Sequence, residues 1–331
     1  MSKIITNYIR GKHIESEHIS KCLIINSKNQ VLFSTGNDND FIYPRSSIKI
    51  FQAIPFAESS AIKKYKLNDR QIALSCASHS GEKYHIKELS KWIQKLKIKK
   101  TKLKCGIHNP IHTQSAEKIL LTGNKPNQLH NNCAGKHLAM LSATLVNKHE
   151  LENYLDFNHP HQIQIRNILE KFSESKINKN YFSLDGCSAP QYALKIKNIC
   201  YALSNLVNSY NSKFFKDKEI KILINSILKN PFHIGGSNNL DSNLMYLSEK
   251  NLFCKGGAEG VLLFANLEKK IVGLIKVVDG NQRALASISY ELFKKLKILK
   301  KNQISKFYNW NNNKIFNHAG KDIGKILTKI V

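Results

Sequence analysis

Two pairs of apolar segments, one toward each end of the 331-residue chain, restrict its possible folds more than any other feature. Residues 21–37 read KCLIINSKNQVLFSTGN, two apolar runs around a polar Ser-Lys-Asn turn, which predicts a β-hairpin. Residues 252–280 predict two long apolar strands joined by the polar turn NLEKK. Strands joined by such short turns pair antiparallel, so the pattern is not that of a doubly wound parallel sheet.

Between these strands, apolar residues recur at the spacing that is typical of helices. A helix is predicted from Ser46, strained or ended near Pro55. A short capped helix is predicted within residues 68–82, and an amphipathic helix over residues 84–96. The polar motif NNCAGKH leads into a further, apolar helix.

We therefore predict the α/β class, of the α+β type, in a single domain of residues 1–331. One antiparallel sheet is formed from both chain ends, from about residues 14–40 and 250–290. Helices flank this sheet, and a helical lobe is inserted between its two parts.

The charge of the chain raises the question of nucleic-acid binding. Its 51 Lys and Arg residues against 24 Asp and Glu give a net charge of +27, and such a surplus can neutralise phosphates. The lysines are spread along the chain, however, and in residues 91–104 and 291–306 they alternate with apolar residues as on solvated helix faces. Because the sequence has no arginine-rich tract, zinc-finger spacing or RNA-binding aromatic pattern, we predict no nucleic-acid partner.

The cysteines and the hydropathy pattern indicate a compartment. Seven cysteines are an odd number, and their spacing suggests no disulfide framework. The first residues show no apolar core of a signal peptide, and no apolar run is long enough to span a bilayer. These features predict a cytoplasmic protein with reduced thiols and no membrane contact.

The stretch YPRSSIKIF, residues 43–51, contains a Ser-x-x-Lys pattern made by Ser46 and Lys49. Three residues apart at a helix start, Ser46 and Lys49 would lie on one face. A lysine in that position can take the proton of a serine nucleophile if burial or another cation lowers the lysine pKa. The apolar neighbours of Lys49 fit burial. An isolated match of this kind is, however, better explained by a helix-capping serine followed by a surface lysine.

Two further stretches resemble the remaining motifs of serine acyl enzymes, which combine S-x-x-K with S-D-N and K-T-G. SHS begins at Ser78 in a predicted loop, and KGG begins at Lys255 on a predicted strand. SHS lacks the Asn, and Gly256 replaces the Thr. A glycine-rich strand edge would let a substrate approach and would leave an N–H free for an oxyanion.

A second group of residues carries thiols. Cys133 and Lys136 stand three apart where a helix begins, and Cys187 follows a predicted strand. Two thiolates suit zinc, with Lys136 an unusual third donor and His137 or Asp185 the conventional alternatives. Two other interpretations remain open: Cys133 at a helix N-terminus is a reactive thiol, or both cysteines are core residues.

Together these motifs resemble a known family. YPRSSIK, CASHSGE, CGIHNP, NNCAGKHLAML, DGCSAPQYAL and KGGAEGV follow the motif order of the bacterial asparaginase II family, the Rhizobium etli type, over about residues 14–286. The resemblance implies a fold like serine β-lactamases and glutaminases. It also implies hydrolysis of L-asparagine to L-aspartate and ammonia, and a homodimer.

The resemblance also implies roles for individual residues. Ser46 corresponds to the nucleophile with Lys49 as its base, and Ser78 with Lys255 to a second Ser–Lys pair. Cys133, Lys136 and Cys187 correspond to a site for one zinc ion per chain, close to the substrate. Asp185 is implied as a neighbour of that site.

Three residues are candidates for substrate binding: Arg45, Asp185 and His137. Arg45 is a candidate for the α-carboxylate, because a guanidinium matches a carboxylate bidentately. His137 contacts the substrate or satisfies a loop carbonyl.

Three alternatives stay open at this point. Ser78 competes with Ser46 as the nucleophile. An L-glutaminase differs from an asparaginase only in its pocket. A basic zinc protein that binds nucleic acid would tolerate loss of Ser46.

Overall fold

An antiparallel sheet with helices packed on it makes up the computed structural model, which describes residues 3–212 and 217–331. The strands are β1 (Ile4–Arg10), β2 (His13–Asn26), β3 (Val31–Thr35), β4 (Phe41–Ile42), β5 (Phe182–Leu184), β6 (Pro190–Tyr192), β7 (Leu194–Lys195), β8 (Leu252–Gly257), β9 (Val261–Asn266), β10 (Ile271–Val277), β11 (Lys314–Phe316) and β12 (Asp322–Ile330).

The helices follow the same chain order. They are α1 (Lys49–Glu58), α2 (Ala61–Lys64), α3 (Asp69–Leu74), α4 (Lys83–Leu96), α5 (Thr113–Leu121), α6 (Ala134–Val146), α7 (Pro160–Ser173), α8 (Ile196–Asn211), α9 (Lys218–Lys229), α10 (Phe232–Gly235), α11 (Leu240–Leu247), α12 (Leu285–Lys295) and α13 (Lys301–Asn311).

The main sheet joins the early and late parts of the chain. Its strand order is β11-β12-β1-β2-β10-β9-β8, and β3 also pairs with β2. All of these pairings are antiparallel. The predicted fold class is therefore confirmed, and so is the predicted hairpin, which is β2–β3.

The sheet extends beyond the two predicted ranges, because β1, β11 and β12 also belong to it. The prediction of two strands in residues 252–280 is wrong: the apolar run breaks into β8 and β9 before β10 follows. The break is a turn in which Glu259 and Gly260 both have left-handed backbones, with φ of 62° and 65°. A side chain at Gly260 would also collide with Val277, its Cβ lying 2.7 Å from that side chain.

The predicted helices of the lobe are confirmed, with small changes at their ends. Asn68 caps α3 by accepting a hydrogen bond from the Gln71 N–H, and α4 covers the predicted amphipathic segment. Helix α1 continues through Pro55 to Glu58. Proline lacks its own N–H donor and crowds the preceding turn, but its carbonyl still accepts a hydrogen bond from the Ser59 N–H, so the helix continues past it.

Helix α1 is the central element of the lobe and packs against α6, α7 and α9. Phe51 and Phe56 are completely buried there, and burial of a side chain of this size stabilises a fold by about 2–3 kcal/mol. Lys49 is equally buried in the same helix, so its amine needs hydrogen-bond partners inside the protein. No helix in the described ranges has the length and hydropathy to cross a membrane.

Candidate active site

The predicted serines and lysines meet where the turn before α1 touches β8. Ser46 lies in a 3-10 turn, Arg45–Ile48, directly before the helix. Arg45 has a left-handed backbone with φ of 54°, which costs a non-glycine residue about 1–2 kcal/mol. Strand β8 passes so close that a Cβ at Gly257 would lie 2.5 Å from the Pro44 carbonyl oxygen. Gly257 of KGG thus permits this contact.

A cavity of about 380 Å³ opens at this junction, and we call it the reaction cavity. Its polar wall includes Ser46, Ser78, Asn132, Asp241, Lys255 and Gln282. Three of the four predicted catalytic residues therefore face one space. The fourth, Lys49, lies beneath it and reaches it through Ser78.

Lys49 is completely buried and holds its amine against three groups. Its Nζ lies 2.9 Å from Ser78 Oγ, 2.5 Å from the Ala77 carbonyl oxygen and 3.3 Å from Cys133 Sγ. Burial lowers the pKa of Lys49; Cys133 opposes the shift, and the positive charges of Lys136 and Lys255 add to it. A lysine with a lowered pKa is suited to accept a proton.

The structure pairs these side chains differently from the sequence prediction. The Lys49 amine bonds to Ser78 Oγ. Among the described residues the Ser46 hydroxyl makes no hydrogen bond to that amine, although the Lys49 backbone N–H donates to the Ser46 carbonyl oxygen. The reason is local: Ser46 lies in a 3-10 turn and the α-helix begins only at Lys49, so the two residues do not share an α-helical face. The predicted pair of Ser78 with Lys255 is also replaced.

Lys255 pairs instead with Asp241, which the sequence reasoning missed. Its Nζ lies 3.0 Å from Asp241 Oδ2 and 2.7 Å from the Gly256 carbonyl oxygen. The Gly256 N–H also donates to Asp241 Oδ2, at 2.7 Å. Of the glycines on this strand edge, Gly256 therefore does not leave its N–H free for an oxyanion. In the sequence, Asp241 resembles any acidic residue in the first turn of a helix.

The predicted metal ligands also come together, in a buried cluster that we call the thiol pocket. It consists of Cys133, Lys136, His137 and Cys187. Cys133 caps the start of α6, which places Lys136 one turn later. Lys136 Nζ lies 3.1 Å from Cys187 Sγ, on the loop between β5 and β6.

The groups of the thiol pocket shift one another's pKa. Cys133 donates a hydrogen bond to Cys187, and Lys136 places a positive charge beside it. Both effects hold the pKa of Cys187 far below its usual range, against the effect of burial. The same hydrogen bond and burial raise the pKa of Cys133. Burial alone would lower the pKa of Lys136, but the neighbouring thiols and Asp185 raise it. The pocket therefore favours a thiolate on Cys187 beside an ammonium on Lys136.

The predicted substrate-binding residues do not line the reaction cavity. Arg45 donates from Nε and from a terminal guanidinium nitrogen to Asp185 Oδ1, at 3.0 and 2.8 Å. This ion pair uses the Nε side of the guanidinium, so a substrate carboxylate would have to bind to the remaining N–H donors of Arg45. His137 is completely buried, and its Nδ1 lies 2.6 Å from the Tyr154 hydroxyl.

The thiol pocket fits a zinc ion only if Lys136 takes part. The described residues contain no group of three or more Cys, His, Asp and Glu that could hold a metal. Two adjacent buried sulfurs and an amine nevertheless converge, and the buried imidazole of His137 lies within hydrogen-bonding reach of Cys187. These donors suit zinc, provided that Lys136 loses its proton.

Comparison with known proteins gives a family. The family model described as L-asparaginase II matches residues 6–328. No curated protein matches the chain at a significant level. Among solved structures, the chain is similar to a candidate β-lactamase from Bacteroides dorei DSM 17855, with 10% identity over 78% of this chain and 84% of that one, and a TM-score of 0.39.

Proposed function

The chain belongs to the L-asparaginase II family, and from this premise we propose that it hydrolyses L-asparagine to L-aspartate and ammonia. Family membership supports an amidohydrolase. The choice of L-asparagine and of a serine acyl-enzyme is our proposal. One observation carries it: a buried lysine with a lowered pKa contacts a serine that faces a small polar cavity.

The first half of the reaction forms an acyl-enzyme. Lys49 takes the hydroxyl proton of Ser78, and the serine oxygen attacks the side-chain amide carbon of the substrate. The bond between that carbon and the amide nitrogen breaks, and the proton returns to the nitrogen, which leaves as ammonia. The 2.9 Å contact favours Ser78 for this role, and Ser46, on the same cavity wall, is the alternative nucleophile.

The second half regenerates the enzyme. Lys49 deprotonates a water molecule, which attacks the ester carbon, and the serine oxygen leaves and regains a proton. The product is L-aspartate. Lys255 contributes a positive charge near Lys49, which favours the neutral form of the Lys49 amine.

Zinc is part of the proposal as a bound ion. Cys133, Lys136 and Cys187 would hold it, with His137 beside them. When bound, it would supply a fixed positive charge that orients the substrate. A metal analysis of the purified protein tests this: about one zinc per chain is expected, and Cys187→Ala should reduce the zinc content.

Two further statements stay proposals. The homodimer follows from the resemblance, and light scattering on the purified protein tests it. A cytoplasmic location follows from the thiols and the hydropathy pattern.

The function is tested by measuring ammonia release from L-asparagine and L-glutamine in parallel, with and without added zinc. Release from L-asparagine with little from L-glutamine is the expected result, and the reverse preference would identify a glutaminase. Ser78→Ala and Ser46→Ala are compared under the same conditions, and Ser78→Ala is expected to lose more activity. Absence of release from both amides by folded, zinc-loaded protein would contradict the proposal.

A further inference from the structure

We propose that Asp241 binds the α-ammonium group of the substrate and thereby makes the reaction cavity selective for α-amino acids. The inference rests on the proposed function for the identity of the substrate. It concerns a residue that the predicted substrate contacts did not include.

Asp241 is held in a fixed position at the cavity wall. The residue is 3% exposed and lies in the first turn of α11, where the Asn239 side chain accepts a hydrogen bond from its N–H. Its side chain forms part of the cavity wall that also carries Ser46, Ser78 and Lys255. The carboxylate is thus held by the fold while it faces the space that contains the candidate nucleophiles.

The two carboxylate oxygens of Asp241 differ in their partners. Oδ2 accepts from the Lys255 ammonium and from the Gly256 N–H, at 3.0 and 2.7 Å. Oδ1 accepts no hydrogen bond within the described ranges 3–212 and 217–331, and it is not among their fully enclosed unpaired atoms. A carboxylate oxygen that faces a cavity and accepts no hydrogen bond is suited to bind a cation that carries N–H groups.

Glycine at position 256 keeps this oxygen in place. A Cβ there would lie 2.7 Å from Asp241 Oδ1 and 3.3 Å from Oδ2, so any side chain would push the carboxylate aside. Gly256 has an ordinary negative φ, so its backbone does not require glycine. The missing side chain at Gly256 therefore leaves the space that the Asp241 carboxylate occupies.

The chemistry of L-asparagine matches this arrangement. Its α-ammonium has three N–H donors and a positive charge, and it is joined to the reacting amide by a short carbon chain. A charge-assisted hydrogen bond in a site shielded from water contributes more than a neutral one. The ion pair to Lys255 uses Oδ2 only, so Lys255 and the substrate ammonium can share the carboxylate from opposite oxygens.

A different role for Asp241 would be to position Lys255 alone. Loss of the carboxylate would then affect every substrate equally, whether or not it carries an ammonium. Selectivity between two ligands that differ only in this group separates the two roles.

The test uses purified protein in its zinc-loaded form and two matched ligand pairs. Binding of L-aspartate and of succinate, which lacks the amino group, is measured by calorimetry. Ammonia release is measured from L-asparagine and from succinamate, which is L-asparagine without its amino group. The variants are Asp241→Asn and Gly256→Ala, and Asp40→Asn is the control because it removes a carboxylate paired with Lys21 outside the cavity.

The wild-type protein and Asp40→Asn should prefer the ligand with the amino group by about tenfold or more. Asp241→Asn should reduce this preference to near one, and Gly256→Ala should reduce it by displacing the carboxylate. An unchanged preference in Asp241→Asn, with both substrates slowed by the same factor, would overturn the inference and leave Asp241 as a positioning residue for Lys255.

The two proposals fail in different ways. A wild-type protein that releases no ammonia from L-asparagine but binds L-aspartate more tightly than succinate, through Asp241, would contradict the proposed function and support the inference. Ammonia release without any preference for the amino group would do the opposite.

Discussion

The reaction cavity and the thiol pocket contain similar ion pairs in opposite surroundings. Lys255 and Asp241 are 3.0 Å apart at a wall open to ligands, whereas Lys136 and Cys187 are 3.1 Å apart inside the protein. Lys49 lies between them and touches one residue of each, Ser78 and Cys133. The ion pair of the reaction cavity is therefore accessible to a ligand, whereas the ion pair of the thiol pocket is enclosed beneath that cavity.

The largest expected effect comes from removing the amine between the two regions. Lys49→Met fills the same space without a base, so turnover of L-asparagine should fall by about a thousandfold. The measurement is kcat by ammonia release, with circular dichroism to confirm folding. Lys229→Met, at an exposed ion pair, is the control and should stay near wild type. Activity within tenfold of wild type in Lys49→Met would exclude this lysine as the base.

Removing one partner of the thiol pocket should affect stability. Cys187→Ala leaves the buried Lys136 ammonium without its thiolate, which should lower the free energy of unfolding by about 3 kcal/mol. Urea unfolding of the metal-free protein measures this. Cys200→Ala is the matched control, since Cys200 is a buried thiol that bonds to the Leu23 carbonyl and not to a lysine. Equal losses in the two variants would mean that the ion pair of the pocket contributes little.

His85 is a buried base outside the reaction cavity and the thiol pocket, and its titration sharpens the comparison. Burial lowers the pKa of His85 to about 4, and its Nδ1 accepts a hydrogen bond from the Glu82 N–H. The folded state therefore keeps His85 neutral, while the unfolded chain binds a proton below about pH 6.5. The stability that this histidine contributes is present above that pH and is lost as the pH falls toward 4.

At pH 4.5 the loss from His85 should be about 2 kcal/mol relative to pH 7. Urea unfolding at the two pH values measures it, and His85→Gln should show a smaller difference than the wild type. An identical pH dependence in His85→Gln would show that His85 does not titrate in this way.

The smallest effect is expected at an exposed ion pair. Asp69 pairs with Lys229 at the surface, with 43% and 67% of the side chains exposed. Water already solvates both charges, so Asp69→Asn should change the free energy of unfolding by about 0.5 kcal/mol or less. A change in the free energy of unfolding as large as that of Cys187→Ala would mean that the exposed pair contributes as much to stability as the buried one.

The motifs in the sequence mark residues that lie close together in the fold, because side-chain chemistry and backbone constraints leave local patterns. Ser46, Ser78 and Lys255 each stand in a short pattern of serine, lysine or glycine, and all three line the cavity. Their pairing could not be predicted, since it depends on whether one turn is 3-10 or α. That turn contacts β8, a strand that lies far away in the sequence.

Other features left no local pattern. Asp241 lies in the first turn of a helix like many other acidic residues, and its burial depends on tertiary packing of α11, which contacts β8. The strand β12 is mostly exposed or half-buried, so its residues lack the apolar alternation that marks a strand. The division between β8 and β9 depends on left-handed backbones at Glu259 and Gly260, and only the glycine is visible in the sequence.

The pairing of β2 with β10 has a consequence for synthesis on the ribosome. The contact joins Asn26 to Ile271, so the central strand pair of the sheet cannot close until the helical lobe between them has been made. At typical rates of translation this takes on the order of ten to fifty seconds. During that time β2 and the hairpin it forms with β3 present an apolar strand without its later neighbour, an unpaired edge of the kind that promotes aggregation.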